Sequence, residues 1–240
     1  MRDSSVADPE GRTSKRRDTE VSKPGSRSYR DKKRFYRSED VASAYDRERF
    51  VGPAVERRNR RKWATIEKAL DSLAPGVARV IDLPCGTGRF TGHLARRGLG
   101  VVGADISIEM MRRASQSPAG ADAIGFAQAD AERLPFRDDA ADCVVSIRFM
   151  LHVDPATRVD ILREFGRVAR YLVVDYRHRY SYRYTRWRVK RALGLTSRHF
   201  ERVSRDGLEG ELMAAGLRAR KILPIAWFFS DKWIVVAERV

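Results

Sequence analysis

The sequence predicts an α/β fold: a doubly wound, mostly parallel seven-stranded sheet that ends in an antiparallel C-terminal hairpin. Three observations predict it. From Arg79 onward, short apolar runs alternate with helical stretches, the pattern of parallel strands joined by crossover helices. Three of those runs have an acid at or just after their end, Asp82, Asp105 and Asp130, where open parallel sheets gather their ligands. The last two apolar runs are separated by Ser230-Asp231, a turn-forming pair.

The strands expected in order are Arg79 to Leu83, Val101 to Ala104, Ile124 to Ala127, Cys143 to Ile147, Tyr171 to Asp175, Lys221 to Phe229 and Trp233 to Glu238. Helices fall between them at about Phe90 to Arg97, Ile108 to Ser115, Pro155 to Arg170 and Arg205 to Ala215, the third with Asp154 as N-cap and Pro155 in its first turn. Ahead of the sheet, Ser38 before Glu39 and Asp40 starts one helix, and another runs from about Ala54 to Leu73, closed by Pro75-Gly76. Residues 1–34 hold almost no large apolar groups and read as a disordered basic tail, because they cannot bury enough surface to offset their ordering entropy. The chain thus divides into that tail and one domain over 35–240, with N-terminal cap helices in 35–73 and a basic, aromatic insertion in 176–204.

The formal net charge of +16 favours encounter with something anionic: nucleic acid, a phosphorylated molecule or an acidic membrane surface. An Arg-rich proteome alone would also produce it. Cys85 and Cys143 are the only cysteines and have no metal-ligand spacing, so a reduced cytoplasmic protein with no metal is the expectation. The start of the chain has no apolar signal-peptide core, and Ile222 to Phe229 is far too short to cross a bilayer.

The chemistry is concentrated at the strand ends. Asp82-Leu83-Pro84-Cys85-Gly86-Thr87-Gly88 is a glycine loop leading into a helix, where backbone can approach a ligand closely. Asp105 is placed to accept from both hydroxyls of a ribose. Asp130, in Asp130-Ala131-Glu132-Arg133-Leu134-Pro135-Phe136, is placed to accept from an adenine amino group. With Asp105-Ile106-Ser107-Ile108-Glu109-Met110 and Asp142-Cys143-Val144-Val145-Ser146 leading to Leu151-His152, this ordered set resembles the class I S-adenosylmethionine-dependent methyltransferases, in particular the ubiquinone/menaquinone-biosynthesis C-methyltransferase-like group. The resemblance covers roughly Phe35 to Val240 and implies a Rossmann-like methyltransferase domain over 35–240.

Carried over by position, the resemblance implies that the loop from Asp82 through Cys85, Gly86 and Thr87 to Gly88 holds the methionine part of S-adenosylmethionine and Asp105 its ribose. Ile106 and Met110 would flank the adenine, Asp130 and Ala131 would read its edge, and Ser146 and Ile147 would line the path to the acceptor. The helix with Ala44-Tyr45-Asp46 would cap the cofactor. Pro84 departs from the pattern, standing where the family usually has glycine, and has no N–H to donate.

Methyl transfer is an in-line displacement, so alignment matters most and a base only where the acceptor must lose a proton. His152 is the candidate base and Tyr45 an orienting hydroxyl; a packing role for His152 stands beside that reading. The acceptor itself is unidentified. Two other classes stay open: an NAD(P)-dependent oxidoreductase, from Gly86, Gly88 and Gly92, and a non-catalytic module that binds S-adenosylmethionine or nucleic acid. Tyr176 to Phe200 carries eight Arg and Lys without an acid, interleaved with Tyr180, Tyr182, Tyr184 and Trp187. It is either a solvated excursion packed on the sheet or an amphipathic cap for an anionic, lipid-like acceptor or membrane headgroups, a reading favoured over nucleic acid.

Overall fold

In a computed structural model of the chain, the residues described are Tyr29, Lys33 and residues 52–73, 75–117, 121–196, 202–227 and 229–240. The expected helix over Phe35 to Phe50, Tyr45 included, lies outside them. Helix α1 (Pro53–Asp71) precedes β1 (Arg79–Asp82), α2 (Arg89–Ala95), β2 (Gly100–Asp105), α3 (Ile108–Gln116), β3 (Gly125–Gln128) and β4 (Ala141–Ser146). After a short 3-10 turn, Met150–His152, come α4 (Pro155–Val168), β5 (Ala169–Arg177), α5 (Tyr182–Ala192), α6 (Arg205–Ala214), β6 (Leu217–Pro224) and β7 (Lys232–Arg239).

The strands form one seven-stranded sheet in the order β3-β2-β1-β4-β5-β7-β6. Strands β1 to β5 pair in parallel, and β7 inserts antiparallel to both β5 and β6. The apolar runs suit strands buried on both faces, because consecutive residues point to opposite sides. Val144 and Val174 face the core formed with Ile161, Phe165 and Leu208, while their neighbours Val145 and Val173 face the one formed with Ile66, Leu70 and Leu94.

Short polar side chains start the helices. Ser107, Asp154, Ser181 and Ser204 accept the backbone N–H of Met110, Thr157, Tyr184 and Gly207, satisfying donors that the first turn leaves without a helical partner. The final hairpin differs from expectation. Strand β6 begins at Leu217, directly after Gly216 with its positive φ, and its turn spans 225–231 rather than Ser230-Asp231 alone. The Ile225 amide still donates to the Lys232 carbonyl and the Ser230 amide to that of Ala226, so the longer turn keeps its own hydrogen bonds.

Two residues of the stretch read as a tail are placed against the domain. Tyr29 is half-buried, its ring edge-on to Phe149 at 6.1 Å, and Lys33 pairs with Asp130 at 2.7 Å and with Glu132. At these two positions an aromatic ring and a cation find partners that the composition of the stretch did not reveal.

Candidate active site

At Asp82 the chain leaves β1 through Leu83 to Gly88 before α2 begins; the Leu83–Pro84 peptide is cis. The loop is fastened to its neighbours. Leu83 donates its amide to the Val145 carbonyl of β4, Cys85 to the Ala104 carbonyl of β2, and Gly86 to Asp105 Oδ2 at 2.9 Å. Gly86 and Gly88 both have positive φ, for different reasons. A Cβ on Gly88 would lie 3.0 Å from the Ala114 Cβ of α3, so close helix packing demands glycine; above Gly86 there is open space.

Asp105 closes the end of β2. Its two oxygens accept the Gly86 and Ser107 amides, each at 2.9 Å. A carboxylate has about four acceptor positions, so these amides leave capacity for a ligand hydroxyl. Burial pushes its carboxyl above the ordinary range, and the Ser107 and Gly86 amides oppose that shift.

The loop forms one wall of an open cleft with about 1090 Å³ of space, its mouth included. Pro84, Cys85, Gly86 and Thr87 line it with Asp105, Ile106 and Met110. Ala129 and Ala131 form the floor beyond β3, and Ile147, Arg148, Phe149 and His152 the wall after β4. Tyr29, Lys33, Arg89 and Phe90 complete the lining.

Four residues expected at the cofactor are not among those lining the cleft. Asp82 is buried behind the loop, accepting from the Thr91 hydroxyl at 2.6 Å; burial raises its carboxyl to about 7, against the Thr91 hydrogen bond. Gly88 meets α3 rather than the cleft. Asp130 points to Lys33 and also accepts the Glu132 amide at 3.1 Å, so Ala129 and Ala131, not its carboxylate, face the cleft. Ser146 is fully buried, with no hydrogen-bond partner for its hydroxyl among the described residues. Tyr45 lies outside the described residues.

Several wall residues escaped sequence reasoning: Pro84 as a lining group, Arg89, Phe90, Ala129, Arg148 and Phe149, with Tyr29 and Lys33. A usable signal existed for Tyr29, a lone ring in a polar stretch, and for Ala129, which alternates with Ala127 and Ala131 at the end of β3. Arg148 had none. Its φ is +68, and its backbone N–H donates to Asp175 Oδ1 at 2.5 Å, a partner at the far end of the next strand.

Asp175 also accepts from Lys62 of α1 at 2.7 Å, with both side chains buried. Burial pushes Lys62 down and would push Asp175 up, but Lys62 and Lys232 outweigh it and hold the carboxyl below the ordinary range. Next to it, buried Asp231 accepts from Arg177 at 2.7 Å and has Arg202 at 3.6 Å. Lys232, half-buried, is pushed down to about 7 by desolvation and by the charge of Lys62. Behind Arg148 of the cleft wall, Lys62, Arg177, Arg202 and Lys232 thus gather around two buried carboxylates.

In α5, Tyr184 and Trp187 stack at 5.7 Å and turn inward under Arg202. Tyr180 precedes the helix and stacks instead on Trp233 at 5.8 Å, beside His178. The excursion is therefore helical and anchored by its aromatic residues, with its basic residues outside.

Residues 80–171 match a family model described as a methyltransferase domain. The chain is 35% identical over 136 residues to a demethylmenaquinone methyltransferase of Clavibacter sepedonicus, an alignment covering 54% of each protein. It is 37% identical over 106 residues to a ubiquinone/menaquinone biosynthesis C-methyltransferase of Methylococcus capsulatus, covering 40% of this chain and 42% of the relative. The chain thus spans about half the length of these relatives or less. Among solved structures, the magnesium protoporphyrin IX methyltransferase of Synechocystis, with bound SAH, superposes with a TM-score of 0.67 at 18% identity, over 88% of this chain and 99% of that one.

Proposed function

Because the chain carries a class I S-adenosylmethionine-dependent methyltransferase domain, we propose that it transfers a methyl group from S-adenosylmethionine to a small or amphipathic acceptor bearing an anionic group. The observation that carries this reading is Asp105. Its buried carboxylate is held by the loop's own Gly86 amide and lines the cleft with acceptor capacity to spare, which suits a ribose hydroxyl. Ile106 and Met110 offer apolar surface for a flat base, and the open space above Gly86 leaves room for backbone contact with the amino-acid part.

When bound, S-adenosylmethionine supplies an electrophilic methyl group on a positively charged sulfur. The chain's residues have three tasks around it. Asp105 sets hydrogen-bond acceptors beside the loop, and Asp82 behind it holds α2 in place through the Thr91 hydroxyl. Phe90 and Phe149 give the cleft apolar walls that exclude water. His152, on the wall after β4, takes the acceptor's proton where one must leave.

Support for an anionic acceptor comes from Arg148, which lines the cleft wall after β4. Demethylmenaquinone and magnesium protoporphyrin IX, named in two similar proteins, head the acceptors to try. Incubation with methyl-labelled S-adenosylmethionine should move label to an amphipathic anion. In a His152→Asn variant the turnover number should fall at least about tenfold with cofactor affinity unchanged, and the acid limb of the pH profile should disappear. Binding of S-adenosylmethionine with no label in any acceptor would favour a non-catalytic module; tighter binding of NADPH would favour an oxidoreductase.

A further inference from the structure

We propose that the outer face of α5, with the β6–β7 turn, is a docking surface for an anionic lipid bilayer. The helix has two unlike faces. Tyr184 and Trp187 turn inward, with the Arg202 guanidinium 5.2 Å and 4.5 Å from their ring centres. On the opposite side Tyr182, Val189 and Leu193 recur at i, i+7 and i+11, within about 40° of one another at 3.6 residues per turn. They are 51%, 54% and 66% exposed.

Arg186, Lys190 and Arg183 follow this stripe around one flank, and α5 contains no acid. No residue of α5 is buried. Here that stripe faces outward among cations, the arrangement of a helix lying in the plane of a membrane interface.

The β6–β7 turn adds a second, independent observation. Trp227 and Phe229 are 85% and 73% exposed at its tip. Register places the turn at the cleft's edge of the sheet, because Lys232, the first residue of β7, pairs with Arg177, the last of β5. Tryptophan at such a tip suits the headgroup level of a bilayer. Nucleic acid would satisfy the cations, but Val189, Leu193 and the 68% exposed Leu195 have nothing to offer phosphate or sugar, whereas hydrocarbon takes them up.

Cosedimentation of the full chain tests this, with vesicles of phosphatidylcholine alone and of equal parts phosphatidylcholine and phosphatidylglycerol. Binding should be confined to the anionic vesicles and weaken with salt. It should fall roughly tenfold in a V189N/L193N variant, from lost apolar burial, and roughly a hundredfold in R183Q/R186Q/K190Q, from lost charge. Anionic vesicles should also shift the tryptophan emission to the blue, and Trp227→Ala should remove most of that shift. Equal binding to both vesicles, no binding to either, or binding indifferent to V189N/L193N would overturn the proposal. So would tight binding of a single-stranded oligonucleotide that survives V189N/L193N while vesicles are ignored. Docking does not rest on methyl transfer: cofactor affinity, measured by calorimetry, should be the same in every variant, and its absence in the parent would strike only the proposed activity.

Discussion

Two regions at the C-terminal edge of the parallel strands handle buried charge in opposite ways. Beside β1 and β2, Asp82 and Asp105 are balanced by the Thr91 hydroxyl and by backbone amides, and no ion pair among the described residues reaches either. Beside β5 and β7, Asp175 and Asp231 are crowded by cations, with Lys62 at 2.7 Å, Arg177 at 2.7 Å and Arg202 at 3.6 Å. The first region meets its carboxylates with hydrogen-bond donors, the second with charge, and of the second group Arg148 is the residue that lines the cleft.

The largest effect should come from the cation-rich region. Asp175→Ala leaves Lys62 buried without its counter-ion and removes the acceptor that holds the Arg148 amide, so unfolding free energy should drop by about 3–5 kcal/mol in denaturant titration. A loss below about 1 kcal/mol would mean that water or the Arg148 loop rearranges to replace the pair, and the contrast between the regions would weaken.

A smaller effect should mark the region beside β1 and β2. The Asp82 carboxyl has an ordinary value of 3.8 and a folded value of about 7. A raised folded value means that its stabilising contribution is complete below the ordinary value and is lost as pH climbs through the folded one. Stability should therefore decline between about pH 4 and pH 7, by up to about 4 kcal/mol. Asp82→Asn keeps an acceptor for Thr91 and should flatten that decline, as seen by melting at several pH values. An unchanged slope would show that Asp82 is ionised in the fold.

The smallest effect concerns the contact over the cleft. Lys33→Gln breaks the pairs with Asp130 and Glu132, which are partly exposed, so cofactor affinity should weaken by less than about fivefold. Removing residues 1–28, which spares Tyr29 and Lys33, should leave it unchanged. A larger loss from that truncation would give the early residues a share in the site.

The same contrast explains what the sequence made legible. Strands buried on both faces leave unbroken apolar runs, and a strand that ends on an acid is visible as such, so the sheet and Asp105 were readable. Asp82 and Asp130 carried the same signature, yet face Thr91 and Lys33 instead of the cleft, because side-chain direction depends on partners 9 and 97 residues away. The cation-rich region was legible only as composition. Arg148 takes its left-handed backbone from a hydrogen bond to a carboxylate 27 residues later, and no local pattern records that. The hairpin was misplaced because Gly216, rather than the apolar run around Ile222, marks where β6 begins.

The most direct test of the central claim is calorimetric titration of S-adenosylmethionine and NADPH into the parent protein and an Asp105→Asn variant. The account predicts that S-adenosylmethionine binds the parent much more tightly than NADPH does, and that Asp105→Asn weakens it by about 1.5–3 kcal/mol, roughly ten- to a hundredfold, while the variant still melts cooperatively. Equal affinity in the folded variant, or a preference for NADPH, would contradict it.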